Sequence, residues 1–367
     1  MNIIKSKAGR ITLGIILLFV ATVASYVMYV FLTYYRLDSK MGLKVTTKGT
    51  VEEMVKTETE YKVLTYNIGF GAYSSDYSFF MDGGKYSRAF SEEEVVENIN
   101  GSIQTMQKED ADFIFLQEVD LKATRSYGVD ENEMILDAFS NIASAFAVNY
   151  DSPYLMYPLT KPHGKSKSGM STISKFNVTG AVRRGLPIDT SIYKLIDLDR
   201  CFTVTKVPVE NGKTLCLYNV HLSAYTKDES IVENQIKKLS EDMKKQYEQG
   251  NYVVCGGDFN QDLLGNSPEV FGTPVIEDNW AKAFPSELLA DGFSVVFDQL
   301  SEEEKRTLVP SCRNADAPYN EETTFVTMVD GFIISDNVEL AEVVTVDNQF
   351  AYSDHNPVTM SFRLKAE

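Results

Sequence analysis

The run Tyr252-Val253-Val254-Cys255-Gly256-Gly257-Asp258-Phe259-Asn260 constrains this chain more than any other. From Tyr252 to Cys255 the only polar group is a phenol, the composition of a strand buried on both faces. Gly256 and Gly257 then allow the backbone to turn or a ligand to come close. Asp258 and Asn260 alternate in an extended chain, so both can face one site. A carboxylate can bind a metal or orient a water, and an amide can hold an oxyanion without adding charge. Glycine, aspartate and asparagine also form surface turns, so the remaining sequence has to decide between the two readings.

Similar junctions recur along the chain. Tyr61 to Ile68 is β-rich and reaches Asn67 before Gly69 and Gly71. Ser91 opens a helix with Glu94 in capping-box spacing, and Val95, Ile99, Ile103 and Met106 follow at helical period. Phe113 to Asp120 is an apolar strand interrupted by Glu118. Residues 131–147 are expected to be helical, with Met134, Ile135, Ala138, Phe139 and Ile142 on one face. Residues 200–219 form a hairpin turning at Asn211-Gly212, with Asn219 and His221 sharing a face at its far end. A helix is expected from about Lys227 to Gln249, ended by Gly250, and it leads into the opening strand. Thr324 to Ser335 reads as one strand containing Asp330. Ser353-Asp354-His355 precedes a last strand. Residues 263–322 are expected to be mostly loop, with short helices near 287–290 and 301–307.

The N-terminus is of another kind. No charged residue occurs from Ile11 to Tyr35, about the length that crosses a bilayer. Lys5, Lys7 and Arg10 precede it, which argues for residues 1–10 as a cytoplasmic tail, 11–35 as a single-pass anchor and an extracellular catalytic domain. The rival is a cleaved signal, which would make the protein a secreted one. Residues 36–60 are polar with no apolar face and are expected to be a stalk, leaving 61–364 as the catalytic domain. The formal net charge of −17 disfavours a general polyanion binder. It permits phosphate chemistry where a metal supplies positive charge. The loop Lys161 to Gly169 is a local basic exception that could attract an anionic substrate. The 4 cysteines are too scattered for a disulfide framework or a zinc site.

Polar groups thus collect at strand ends: Asn67, Glu118, His221, Asp258 with Asn260, and Asp354 with His355. Two of the 3 histidines lie at such positions. Oxygen ligands such as Glu118 and Asp354 suit Mg²⁺ or Mn²⁺, and no nucleophile elbow, reactive cysteine or P-loop is present. These features point to metal-assisted phosphoester hydrolysis.

The blocks Thr65-Tyr66-Asn67-Ile68, Leu116-Gln117-Glu118, Asn219-Val220-His221-Leu222, Gly257-Asp258-Phe259-Asn260, Val329-Asp330-Gly331-Phe332 and Ser353-Asp354-His355-Asn356-Pro357 resemble, in order, the motifs of the endonuclease/exonuclease/phosphatase superfamily. The resemblance implies an α+β fold, a four-layer α/β/β/α sandwich of two mainly antiparallel sheets, here preceded by a transmembrane helix. It implies Glu118 as main metal ligand with Asn67 and Asp354 close by, and Asp258 orienting or deprotonating the water. Asn260 would hold the phosphate. His355, set by Asp330, would contact the scissile phosphate, and His221 would be the second imidazole. Gly331 departs from the bulkier residue many members carry there. Arg88, His163 and Lys165 are candidate substrate contacts. The substrate would be a phospholipid headgroup, an inositol phosphate-like ester or nucleic acid, with the membrane as the other partner and no obligate protein partner. A non-catalytic binding or regulatory protein on the same scaffold, or a secreted nuclease with its signal cleaved, is the alternative.

Overall fold

Two seven-stranded sheets packed face to face, with helices on their outer sides, make up the body of the protein in a computed structural model. The structure describes residues 6–189, 191, 198–224, 229–273 and 280–366. Lys5 and the expected helix start at Lys227 lie outside them. The elements run α1 (Lys7–Thr33), β1 (Lys40–Gly42), β2 (Val45–Lys48), β3 (Glu60–Asn67), α2 (Glu92–Glu109), β4 (Phe113–Asp120), α3 (Glu131–Ala138), β5 (Ile142–Asp151), β6 (Lys167–Ser174), β7 (Gly180–Gly185), β8 (Cys201–Pro208) and β9 (Thr214–His221). Then come α4 (Glu229–Tyr247), β10 (Tyr252–Asp258), α5 (Ser267–Phe271), β11 (Phe293–Val295), α6 (Glu302–Lys305), β12 (Cys312–Arg313), β13 (Val326–Thr327), β14 (Asp330–Ser335), β15 (Val338–Thr345) and β16 (Val358–Leu364).

One sheet has the order β1-β7-β8-β9-β10-β14-β11 and the other β15-β16-β3-β4-β6-β5-β2. Each is antiparallel except for one parallel pair joined through a helix, β3–α2–β4 in one and β9–α4–β10 in the other. Strand parity sorts the side chains. Tyr61, Val63, Phe113 and Phe115 join the core between the sheets, whereas Leu64, Tyr66, Ile114 and Leu116 pack with Val95, Ile99 and Met106 of α2. The inner face of β3 therefore carries Thr65 and Asn67 as well.

The paired glycines of β10 do not turn the chain. The strand runs through them to Asp258, and they are required by their neighbours. A Cβ on Gly256 would lie 2.4 Å from the Phe332 ring, and one on Gly257 would lie 2.0 Å from Val220 O. Glycine is thus what lets β9 and β14 close on both sides of β10.

Several expectations are corrected. Residues 36–60 are not a free stalk: β1 pairs with β7, β2 with β5, and Val55 bridges to Val209. Their side chains are polar because these are edge strands with solvated faces. Helix α3 ends at Ala138, and β5 follows, because Ala143, Ala145 and Ala147 alternate at strand period and Asn141 breaks the chain with φ 58°. Ser91 does cap α2, but Glu94 accepts from Ser74 Oγ at 2.6 Å instead of returning the bond. The expected strand 324–335 is split between β13 and β14. At the break, Ser311 Oγ accepts from Val329 N and Asp330 N, at 2.9 and 3.0 Å.

Arg183 ties these edges together. Only 2% exposed, it donates to Val148 O of β5, Asp38 O and Asp199 O at 2.9, 2.9 and 2.7 Å. Arg183→Met should cost about 3 kcal/mol by leaving buried carbonyls without a charged donor. It should also expose residues 36–48 to limited proteolysis; an unchanged cleavage pattern would show that the edge strands hold without it.

Candidate active site

The ends of β3, β9, β10 and β14 and the segment before β16 meet at one cleft. Three of the residues arrive there through sheet register. Asp258 pairs with His221 across β10–β9 and with Asp330 across β10–β14, so the three stand side by side on adjacent strands. The facing sheet delivers Asn67, whose Nδ2 donates to Asp258 Oδ2 at 3.0 Å while its Oδ1 accepts from Gly69 N at 3.0 Å. Asp258 Oδ1 accepts from Asn260 N at 2.9 Å. Asn260 adopts φ 51°, which asparagine tolerates, and its Nδ2 donates to Leu222 O at 3.0 Å.

His355 comes from the loop before β16. Ser353 Oγ donates to Asn67 O at 2.8 Å and accepts from His355 N at 3.2 Å, fixing that loop to the end of β3. His355 Nδ1 lies 2.7 Å from Asp330 Oδ2, and its Nε2 lies 4.0 Å from Asp258 Oδ2 and 3.6 Å from Cys312 Sγ. Burial alone would make His355 harder to protonate, but the Asp330 carboxylate outweighs it and raises its pKa well above the usual histidine range. Burial pushes Asp330 upward too, against the pull of His355. We place the shared proton on His355 Nδ1, because a buried carboxylate is best satisfied as an acceptor from a charged donor. His221 differs. Its Nε2 is 3.5 Å from Asp258 Oδ2, and its Nδ1 has no partner among the described residues. Burial, then repulsion from Arg200, His355 and Arg125, lowers its pKa well below the ordinary value, so it is a neutral imidazole. Burial likewise raises Asp258.

Glu118 reaches the cleft through a break in strand parity. Gln117 faces inward, where its Nε2 donates to Asn219 Oδ1 at 2.8 Å, so strict alternation would turn Glu118 outward. The β4–β6 pairing shifts register between Leu116 and Val119, and Glu118 takes φ 56°. This bulge aims its carboxylate into the cleft. Among the described residues no donor reaches that carboxylate. Burial raises its pKa, Arg125 pulls it back, and Asp354 pushes it up again. Two acids that repel each other in a buried cleft form a natural seat for a divalent cation. Asp258, Asp330 and His355 also cluster, with ligating atoms within 4.8 Å. His355 and Asp330 are already bonded to each other, however, so the Glu118–Asp354 side fits a cation better.

The cleft holds about 460 Å³ and brings together Asn67, Glu118, His221, Asp258, Asn260, Asp354 and His355. Asp330 lies behind His355, fully buried. His163 also lines the cleft, yet both ring nitrogens are used, by Ser87 O at 2.9 Å and Ser166 Oγ at 3.3 Å. Burial lowers its pKa to about 4, so it braces two loops and carries no charge. Arg88 and Lys165 do not line the cleft: Arg88 Nε donates to Pro162 O at 2.5 Å, and Lys165 is exposed. Among the described residues, the guanidinium groups that line the cleft are those of Arg125, Arg200 and Arg313. Arg125 is paired with Asp120 at 2.8 and 3.0 Å and covers the Phe70 ring at 3.8 Å. Arg313 donates to Asn314 O and Ser74 O, each at 3.0 Å. Arg200 is 8% exposed, and its Nε and one Nη have no partner among the described residues. The signal for it was the hairpin register, because Cys201 pairs with His221 and Arg200 stands next to that pair.

No curated protein sequence matches the chain. Solved structures share its fold. An endonuclease/exonuclease/phosphatase from Beutenbergia cavernae DSM 12333 is 16% identical with a TM-score of 0.56, over 84% of this chain and 72% of that one. The human Nocturnin catalytic domain with bound sulfate is 14% identical with a TM-score of 0.52, over 88% and 97%. ANGEL2, a 2',3'-cyclic phosphatase in complex with adenosine-2',3'-vanadate, is 15% identical with a TM-score of 0.56, over 89% and 99%. The sequence model of the Endonuclease/Exonuclease/phosphatase family matches residues 64–355, a span that includes every residue placed at the cleft, and the chain belongs to that family.

Proposed function

We propose that the protein is a membrane-anchored hydrolase of phosphoester bonds that works with a bound divalent cation, Mg²⁺ or Mn²⁺. The observation that carries this reading is the register of His221, Asp258 and Asp330, with Asn67 and His355 folded onto them. Glu118 and Asp354 would hold the cation. Asn67 Oδ1 keeps one lone pair for it beyond the bond from Gly69 N. When bound, the ion polarises the phosphoryl group and offsets its charge.

The protein's own groups divide the remaining work. Asn67 and Asn260 N fix both oxygens of Asp258, and burial strengthens it as a base toward the attacking water. His355, charged through Asp330, offers a cationic donor to the phosphate. His221 is neutral, so it serves as a hydrogen-bonding partner and not as a fixed charge. Asn260 has one amide hydrogen left for a phosphoryl oxygen. Arg200 supplies an unspent guanidinium suited to phosphate. Helix α1 is the one described helix long and apolar enough to cross a membrane. Its Tyr26 and Tyr29 hydroxyls bond to the backbone of Tyr154 and Met156, which supports a retained anchor over a cleaved signal. Lys7 and Arg10 support a cytoplasmic N-terminus.

Three measurements test the reading. Chelation should abolish hydrolysis of bis(p-nitrophenyl) phosphate, and added Mg²⁺ should restore it; full activity in chelator would remove the cation from the scheme. Glu118→Gln should lower kcat by about 10²–10⁴ without lowering the melting temperature. His355→Ala should lower kcat as far while also lowering the melting temperature, because the buried Asp330 loses its charged partner; undiminished turnover by either would return the fold to a binding role. Arg200→Met should raise KM more than it lowers kcat, whereas a loss of stability alone would make Arg200 a structural residue.

A further inference from the structure

Outside α1, the large apolar side chains standing in solvent concentrate in the loop after β5. Tyr154, Met156, Tyr157 and Leu159 are 38%, 45%, 69% and 82% exposed. Single exposed apolar residues are ordinary, but a cluster at one loop tip marks a contact surface. Its position says what it contacts. The Tyr26 hydroxyl donates to Tyr154 O at 3.2 Å and accepts from Met156 N at 3.0 Å, and the Tyr29 hydroxyl accepts from Tyr154 N at 3.2 Å. Tyr35 donates to Asp151 Oδ2 at 2.5 Å at the base of the same loop. Tyr26 is about 10 Å along the axis from the end of α1 at Thr33. A helix that is apolar on every face has no place in water. Where such a helix leaves a bilayer, tyrosines gather at the headgroup level. The loop tip is bonded to α1 at that depth.

The same loop borders the cleft. Tyr157 packs against Phe80 with ring centroids 5.8 Å apart, and Phe80 lies 6.0 Å from the His163 ring. His163, Phe79 and Met81 line the cleft, and Met81 is itself 61% exposed. After the apolar tip the chain turns basic at Lys161, Lys165 and Lys167. Ser87 and Arg88 hold this stretch through Lys161 O and Pro162 O, each at 2.5 Å. An apolar tip followed by lysines is the composition of a segment lying in an anionic bilayer surface. In a chain with net charge −17, that local reversal of sign has a use.

We propose that loop 154–159 docks into the leaflet from which α1 emerges, and that the cleft takes its phosphoester from a membrane phospholipid headgroup. The proposal rests on the phosphoesterase reading and on α1 as a membrane anchor. The acyl chains stay in the bilayer while the headgroup reaches the cleft. The water gives a proton to Asp258 as its oxygen forms the new P–O bond, the P–O bond to the leaving alcohol breaks, and that alcohol takes up one proton, so that water is added across the ester.

The full chain in phosphatidylcholine–phosphatidylglycerol vesicles tests both parts. Leu159→Trp, measured against the parent with Trp280 alone, should be quenched by acyl-brominated lipid and shielded from aqueous iodide. Quenching by iodide with none by brominated lipid, as a protein-docking loop would give, overturns the docking. The double variant M156S/L159S changes exposed residues outside the cleft. It should cleave vesicle phospholipid about tenfold more slowly while leaving bis(p-nitrophenyl) phosphate turnover unchanged. Equal vesicle turnover by parent and variant overturns the docking. A parent that cleaves the soluble ester but no vesicle phospholipid overturns the lipid assignment alone, and a parent that cleaves neither overturns the phosphoesterase reading beneath it.

Discussion

The hydrogen bond from Asn67 to Asp258 crosses from one sheet to the other inside the protein, and the geometry of the cleft depends on it. Both residues are about 1% exposed. A carboxylate taken out of water costs several kcal/mol unless its oxygens are satisfied. Asn67 satisfies one oxygen and Asn260 N the other. Because side chains alternate with a period of two, a slip of either strand by one residue would send one partner to the opposite face. Correct sheet register and a correctly formed site are therefore one condition.

The bond is not isolated. Gln117 Nε2 donates to Asn219 Oδ1, and Asn219 Nδ2 donates to Ser171 O at 3.0 Å. These residues form a polar layer where the apolar core between the sheets ends. The core below it packs closely enough that Gly256 and Gly257 have no room for a methyl group. Gly331 is similar, since a Cβ there would come within 2.6 Å of the Phe297 ring. A bulkier residue at that place has no space here, because the Phe297 and Leu263 side chains fill it.

Much of this was legible in the sequence because it follows from local rules. An apolar strand that ends in a polar residue announces itself, and Asn67, His221 and Asp258 all sit at such ends, with His355 in the loop just before β16. The hairpin at Asn211-Gly212 and helix α4 follow from turn chemistry and helical period. What was not legible depends on contacts distant in sequence. Residues 36–48 carry no apolar pattern because their partners β5 and β7 supply the burial. The alanines of β5 suit a helix as well as a strand until β6 pairs with them. The aim of Glu118 needs the bulge against β6. Arg88 and Lys165 drew notice as charge, but charge in a sequence says nothing about direction. Arg200 drew none, although the side chain beside the His221 pairing has donors to spare.

The placement of charge bears on the proposed substrate. Acidic residues dominate the exposed surface, and their repulsion acts over about 10 Å at moderate salt. A long polyanion would meet that repulsion along its whole length. A single phosphate inside the cleft would meet Arg200 and the charged His355 at short range, where the medium screens little. The same two groups would be too few to hold a nucleic acid against the surrounding field. A headgroup delivered from a bilayer avoids the difficulty, because α1 and the loop at Tyr154–Leu159 would bring the cleft to it. Affinity would then come from confinement at the surface, and the cleft would need only enough positive charge to orient one phosphoester.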